Sequence, residues 1–242
     1  MKKLLFLLLF SFLCMLTVAY STEKPSVYKV KKIKGSMNID ANWDKTQWKK
    51  VKEIPIVNFM GKLPVFQPVV TAKMMYDSKN VYLIYRVEDR HVRIQNTKFN
   101  GPVSTDACVE FFFSPDSDWP LRYFNVEINA GGTGLMSYHK DGKRTNLKEE
   151  DFNVVEIAHT LPKKLEQEIS EPVTWFLEFK MPLSLLATYG NFTQPEKGVK
   201  WKANFYKTSS RSTNPHYITW NLVQNPVPQF HLPQYFGTLV FK

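Results

Sequence analysis

Apolar residues in this chain of 242 residues never recur with helical period over a long stretch. Short apolar or alternating segments follow one another instead, with turn-forming residues between them, and that pattern restricts the fold to an all-β architecture. Strands are expected at Val27 to Ile33, Glu53 to Phe59, Thr71 to Tyr76, Val81 to Val87, Val109 to Ser114 and Phe124 to Asn129. Six more are expected at Leu135 to Tyr138, Phe152 to Ala158, Trp175 to Met181, Trp201 to Lys207, Tyr217 to Asn221 and Thr238 to Phe241. Many short strands imply a two-sheet antiparallel β-sandwich, jelly-roll-like in character.

Turn chemistry supports the count. Asp77 to Asn80 (DSKN) joins two strands as a hairpin, and Ala130 to Gly134 (AGGTG) offers the positive φ of a tight reversal. One or two short helices interrupt the pattern, at Asn42 to Lys50 and at Ser184 to Tyr189, the second after Pro182 and before Gly190.

Lys2 and Lys3 precede an apolar run from Leu4 to Val18 that ends near the small residues Ala19 and Ser21. Residues 1–21 therefore read as a bacterial-type secretory signal peptide, leaving 22–242 as one exported domain that is periplasmic, cell-surface or extracellular. Cys14 follows Leu13 rather than a small residue, which argues against lipid attachment. No later run is long and apolar enough for a transmembrane segment. Cys108 is the one cysteine outside the leader, so no internal disulfide is expected.

The whole chain carries a net charge of +10, with 32 basic and 22 acidic residues. This balance makes acidic glycans or an anionic cell surface candidate partners. Export and the lack of any nucleic-acid-binding motif argue against nucleic acid as a partner.

Alternation places Phe124, Val126 and Ile128 on one face of their strand and Tyr123, Asn125, Glu127 and Asn129 on the other. A stripe of one aromatic, two amides and a carboxylate suits a sugar, whose C–H face stacks on rings and whose vicinal hydroxyls match planar amides and carboxylates. Arg86 and Glu88 share a face of another strand, and Glu110 stands between Val109 and Phe111. These charges could form a polar patch together or pair across strands to hold register. Trp175, Trp201 and Trp220 fall in strand patterns and read as core, whereas Trp119, Phe99 and Phe230 sit in polar loops where an aromatic marks recognition.

Glu110 and Glu127 on adjacent strands also raise a glycosidase reading. No second catalytic feature accompanies them, and nucleophile-elbow, paired-histidine and phosphate-loop motifs are absent, so no catalytic residue is assigned. His91, His139, His159, His216 and His231 are scattered, which argues against zinc. The loops Asp40 to Asp44 and Asp116 to Asp118 offer hard oxygen ligands without a recognised calcium pattern.

Taken in order, MNIDANWDKTQW (Met37 to Trp48), YDSKNVYLIYRVED (Tyr76 to Asp89), DACVEFFFSP (Asp106 to Pro115) and YFNVEIN (Tyr123 to Asn129) resemble the family 9 carbohydrate-binding modules. WFLEFKMPLSLL (Trp175 to Leu186), VKWKANFYK (Val199 to Lys207), YITW (Tyr217 to Trp220) and QFHLPQYFGTLVF (Gln229 to Phe241) continue the resemblance. It implies a β-sandwich that binds ends of cello- or xylo-type chains between two aromatic rings, with structural calcium in some members and frequent attachment to glycoside hydrolases. The family's sugar-bonding strand glutamate falls on Glu110 and one stacking aromatic on Phe230. The other stacking ring has only Phe99 in a different spacing, and the family's strand arginine is replaced by Glu127.

The chain is accordingly read as an exported protein that binds oligo- or polysaccharide in polysaccharide utilisation. Carbohydrate-binding residues are Glu110, Phe230, Phe99, Trp119, Arg86, Glu127 and Asn129. A hydrolase or hydrolase-associated component with a partner glycoside hydrolase is the alternative, and an interaction protein that does not bind sugar is the second.

Overall fold

A computed structural model describes residues 24–35 and 37–242. The expected leader at 1–21 lies outside the described residues. The strands are β1 (Val27–Lys32), β2 (Ile54–Ile56), β3 (Asn58–Phe59), β4 (Val69–Tyr76), β5 (Asn80–Asp89), β6 (Cys108–Ser114) and β7 (Arg122–Asn129). They continue with β8 (Gly134–Lys140), β9 (Lys143–Asn146), β10 (Glu156–His159), β11 (Val173–Pro182), β12 (Lys200–Ser209), β13 (His216–Thr219) and β14 (Gly237–Phe241). The helices are α1 (Thr46–Lys49), α2 (Glu149–Phe152) and α3 (Leu183–Tyr189).

The β-sandwich expected from the sequence is present. One sheet has the order β10-β11-β5-β4-β1, with β2 added to β4. The other runs β1-β14-β12-β6-β7-β8-β9, with β13 beside β12 and β3 beside β13. Pairing is antiparallel except at β1, which is parallel to both its neighbours. Its residues Val27 to Val30 pair with Thr238 to Phe241 of β14, and Lys31 and Lys32 pair with Met75 and Tyr76 of β4. One strand thus belongs to both sheets.

Alternation builds the interior. Leu83, Tyr85 and Val87 of β5 and Trp175, Leu177 and Phe179 of β11 meet Phe111, Phe113, Phe124 and Phe205 of the opposite sheet. The rings stack in series, Phe205 on Phe111 at 5.1 Å, Phe111 on Phe113 at 4.6 Å and Phe113 on Trp201 at 5.6 Å between centroids. Trp175 and Trp201 are core residues, as their strand positions predict.

A charged pair crosses this interior. The Lys207 Nζ is 3.2 Å from Asp89 Oδ2, both side chains being buried. Lys207 also donates to the Thr208 carbonyl at 3.1 Å and faces His216 Nε2 at 2.7 Å. Since His216 Nδ1 lies 2.7 Å from the Asn214 carbonyl, the ring donates there and offers Nε2 as acceptor to the ammonium. Burial, reinforced by Lys207, holds the His216 pKa down at about 3, so this histidine stays neutral.

A second polar clasp fixes the N-terminal segment to the outward face of the β5 sheet. The buried Glu178 carboxylate of β11 accepts from the backbone N–H of Asp40 and Ala41, from Lys45 Nζ and from Trp48 Nε1, all within 3.0 Å. Trp48 then packs with Ile33, Met37, Val51 and Ile84.

Local departures from expectation have simple causes. The strand expected from Glu53 to Phe59 splits at Val57, whose N–H turns to the Thr219 carbonyl at 3.2 Å. The chain there leaves one sheet at β2 and enters the other at β3. Phe152 ends a helical turn instead of opening a strand, because Glu149, Glu150 and Asp151 favour a helix start and Phe152 is buried beneath it. Edge strand β9, of sequence KRTN, is exposed throughout and gives no apolar signal. In the AGGTG turn Gly132 has the positive φ, +81°, whereas Gly131 is required because a Cβ would lie 2.5 Å from the Lys163 carbonyl oxygen. Asp77 closes the predicted hairpin, its Oδ1 accepting from the N–H of Lys79 and Asn80 at 2.6 and 2.7 Å.

Candidate functional site

On the outward face of β6, β7 and β12 the side chains alternate away from the core. Register sets Glu110 of β6 directly opposite Glu127 of β7 on one side and Tyr206 of β12 on the other. The chain after β13 folds back across this face and brings Phe230 onto Tyr206, with ring centroids 4.2 Å apart and planes 19° from parallel. The Tyr206 hydroxyl donates to the Phe230 carbonyl at 3.2 Å. Tyr217 of β13 meets the edge of Phe230 at 6.1 Å.

A cavity of about 260 Å³ opens between the sheet and this returning segment. Glu110, Glu127 and Thr208 form its floor, and Tyr217, Phe230 and His231 line its sides. Its volume suits a small ligand. Two hydrogen bonds close one rim, from the N–H and hydroxyl of Ser210 to the Ser104 carbonyl at 3.1 and 3.0 Å. The returning segment is tied down by Asn221 Nδ2 to the Tyr235 carbonyl at 2.7 Å and by Trp119 Nε1 to the Pro233 carbonyl at 2.6 Å. The cavity is therefore preformed.

Its electrostatics are unusual for a basic protein. Glu110 is 2% exposed, and among the described residues no group hydrogen-bonds its carboxylate, which lines the cavity. Glu127, 6% exposed, accepts from Asn125 Nδ2 at 2.9 Å. Burial pushes the Glu110 pKa well up and the facing Glu127 pushes it further, against a smaller opposing pull from Lys207. Burial likewise raises Glu127, to about 7, against smaller opposing effects of the Arg144 charge and the Asn125 hydrogen bond. Two carboxylates so placed keep a proton between them near neutrality. His231 does not offset them, because burial, with Arg144 adding to it, lowers its pKa to about 4. Its Nδ1 lies 3.1 Å from the Tyr123 hydroxyl, and its ring packs on His139 and Phe112 at 4.9 Å.

Of the seven residues predicted from sequence, Glu110, Glu127 and Phe230 meet here. The others do not. Arg86 lies on the outward face of the opposite sheet and pairs with Glu88 at 2.8 Å, so the patch combining it with Glu110 does not form. Asn129 is fully buried and spends its amide on the turn, donating to the Asn96 carbonyl and Asp106 and accepting from the N–H of Gly131 and Thr133. Phe99 stacks on Phe152 at 4.8 Å beside the Gly132 turn, lining a separate hollow. Trp119 props the outer side of the returning segment, its ring 4.6 Å from Lys202 Nζ, and lines a different groove.

Phe230 is itself buried, 8% exposed, and still contributes to the cavity wall. Sequence reasoning missed Tyr217, Thr208 and His231. Tyr217 had a signal in strand parity, since it faces away from Ile218, which is buried in the core. Nothing local foretold His231.

Among the described residues no group of three or more His, Cys, Asp and Glu side chains is placed to hold a metal ion. In the two aspartate loops, Asp40 Oδ1 accepts from the Asn42 N–H and pairs with Lys45, while Asp116 Oδ1 accepts from the Asp118 N–H and Asp118 pairs with Arg122. No helix among the described residues is long and apolar enough to cross a membrane.

A β-sandwich whose sequence follows the profile of carbohydrate-binding modules from residue 36 to residue 241 is a carbohydrate-binding module. The chain belongs to carbohydrate-binding family 9, whose sequence profile matches residues 36–241. It is similar in structure to a candidate carbohydrate-binding protein from Bacteroides uniformis ATCC 8492, with 26% identity, a TM-score of 0.81 and coverage of 90% of this chain and 100% of that one. Two structures of a family 9 module from Caldicellulosiruptor kristjanssonii share the fold at 17% identity. The complex with glucose has a TM-score of 0.60, covering 90% of this chain and 96% of that one. The complex with cellotriose has a TM-score of 0.62, covering 90% and 94%. No curated protein sequence matches the chain.

Proposed function

We propose that the cavity of Glu110, Glu127 and Phe230 holds one terminal residue of an oligosaccharide, and that the protein acts after export as a binding component in polysaccharide utilisation, beside a separate glycoside hydrolase. The observation that carries this reading is Glu110, a carboxylate 2% exposed, free of hydrogen bonds from the described residues and set in an aromatic-walled cavity. Such an acceptor is costly unless a ligand hydroxyl or other donor completes it. Phe230 and Tyr217 supply flat apolar surface for the C–H face of a sugar ring. The glucose and cellotriose held by the Caldicellulosiruptor modules support the same ligand class.

The geometry favours binding over hydrolysis. Glycoside cleavage needs its two carboxyl groups to flank the scissile bond. Glu110 and Glu127 project from neighbouring strands toward the same side and would approach a sugar together from below.

Phe230→Ala should weaken binding of cellotriose about tenfold or more, close to 1.4 kcal/mol, in a calorimetric titration. Phe230→Leu, which keeps apolar bulk and loses the flat ring, should give an intermediate loss while the melting temperature stays near that of the parent. Unchanged affinity in both variants would show that the sugar sits elsewhere. Export rests on the leader at residues 1–21. It predicts that protein recovered from the periplasm or medium begins near Ser21 rather than at Met1, as N-terminal sequencing would show.

A further inference from the structure

The cavity carries a charge opposite to that of the chain. The protein has a net charge of +10, yet among the described residues no lysine or arginine lines this cavity. Lys207 projects from the other face of β12 and is committed to Asp89. Arg144, on β9, gives its Nε to Ser137 and Asn146 and stands outside the lining. His231 is neutral. What remains is a cross-strand pair of carboxylates whose Cβ atoms are held about 4.5–5.5 Å apart by the ladder.

Such a pair lacks one component. Two buried carboxylates in direct opposition resist ionising together near neutrality, and a cation between them removes that resistance. Among the described residues Arg144 acts on Glu127 and Lys207 on Glu110 from a distance, but neither forms an ion pair with them, and two carboxylates with neighbouring hydroxyls make a sparse set for a metal ion. An ammonium group fits, because it is compact, positively charged and brings three donors. It would fill the bare acceptor sites of Glu110 and the remaining ones of Glu127 with charge-assisted bonds. Phe230 and Tyr217 stand at the same cavity and favour a cation near their faces.

We propose that the cavity selects an amine-bearing sugar, glucosamine or the terminal residue of a glucosamine oligomer, over neutral and acidic sugars. This rests on the reading that the cavity binds sugar, and it names the class of sugar. The step is a simple exchange. The free pair holds one proton, the incoming ligand brings a protonated amine, and the proton of the pair passes to solvent as both carboxylates ionise around the ammonium. An N-acetylated amino sugar has no charge to offer and gains only neutral hydrogen bonds from the pair. A uronic acid is repelled, which reverses the acidic-glycan preference suggested by the overall charge.

The test is calorimetric titration of the purified protein with glucosamine, glucose and N-acetylglucosamine at about pH 7, where the amine is still largely protonated and the pair releases its proton readily. Glucosamine should bind about tenfold tighter than either neutral sugar. The preference should survive high salt, because a buried pair is little screened whereas a surface attraction is lost. In Glu110→Gln and in Glu127→Gln the ratio of glucosamine to glucose affinity should fall toward one. A second readout needs no variant. Titration in two buffers of different ionisation enthalpy should show proton release on binding glucosamine and none on binding glucose. Equal or tighter binding of glucose, or a preference that persists in both glutamine variants, would overturn the amine assignment and leave the sugar site standing. If none of the three sugars binds and cellotriose fails as well, the sugar-binding reading falls and this inference falls with it.

Discussion

Lys207→Met is expected to destabilise the fold by about 3–5 kcal/mol, the cost of leaving a buried charge without its partner. The substitution strands Asp89 in the interior and deprives His216 Nε2 of its donor. Trp175 Nε1, at 3.4 Å, and the Arg90 N–H would remain as the contacts of Asp89. Replacing both members together, Lys207→Met with Asp89→Leu, should recover a large part of the loss, since exchanging a buried pair for apolar side chains costs far less than breaking it. Urea unfolding of the two variants provides the measurement. A single variant that loses less than about 1 kcal/mol would show that the pair is not the strut between sheets that its burial implies.

Glu178→Leu should act differently, with a loss of about 2–4 kcal/mol concentrated in one segment. Four donors converge on that carboxylate, and three of them, the N–H groups of Asp40 and Ala41 and the indole of Trp48, have no other acceptor among the described residues. Lys45 can fall back on Asp40. Release of the stretch from Met37 to Val51 should appear as faster amide exchange there and as new protease cleavage, while β6, β7 and β12 keep their protection. Uniform loss of protection across both sheets would mean that the clasp is part of the global core rather than a latch on it.

Parity along strands made much of this legible. The split of Phe124, Val126 and Ile128 from Tyr123, Asn125 and Glu127 follows from alternation alone, and it places Glu127 on the outward face where the cavity forms. Alternation cannot say which of two sheets a strand joins, which is why Arg86 was grouped with Glu110 across the full thickness of the sandwich. It also cannot tell a ligand-facing amide from one consumed by its own turn, as Asn129 is. The site closes only when residues far apart in sequence, Glu110 and Phe230, are brought to one place; a polar-loop position marks Phe230 together with Phe99 and Trp119, and the resemblance is what singles it out. Lys207 ends the strand expected from Trp201. Its inward direction is visible in the spacing from Trp201, Ala203 and Phe205, but the counter-charge that makes the position tolerable comes from the opposite sheet.

The parallel course of β1 beside β14 has a mechanical consequence. The hydrogen bonds joining Val27 to Val30 with Thr238 to Phe241 lie across the direction in which the two ends of the described chain would be drawn apart. Tension applied between Lys24 and Lys242 would meet these bonds in shear, all at once, instead of opening them one after another like a zipper. Because β1 is also stitched to β4, and the Tyr76 hydroxyl donates to the Lys242 carbonyl at 3.0 Å, the strain spreads into both sheets before either end can peel away. A binding protein that holds a glycan chain under flow or drag would keep its cavity shaped through forces that unzip an ordinary hairpin.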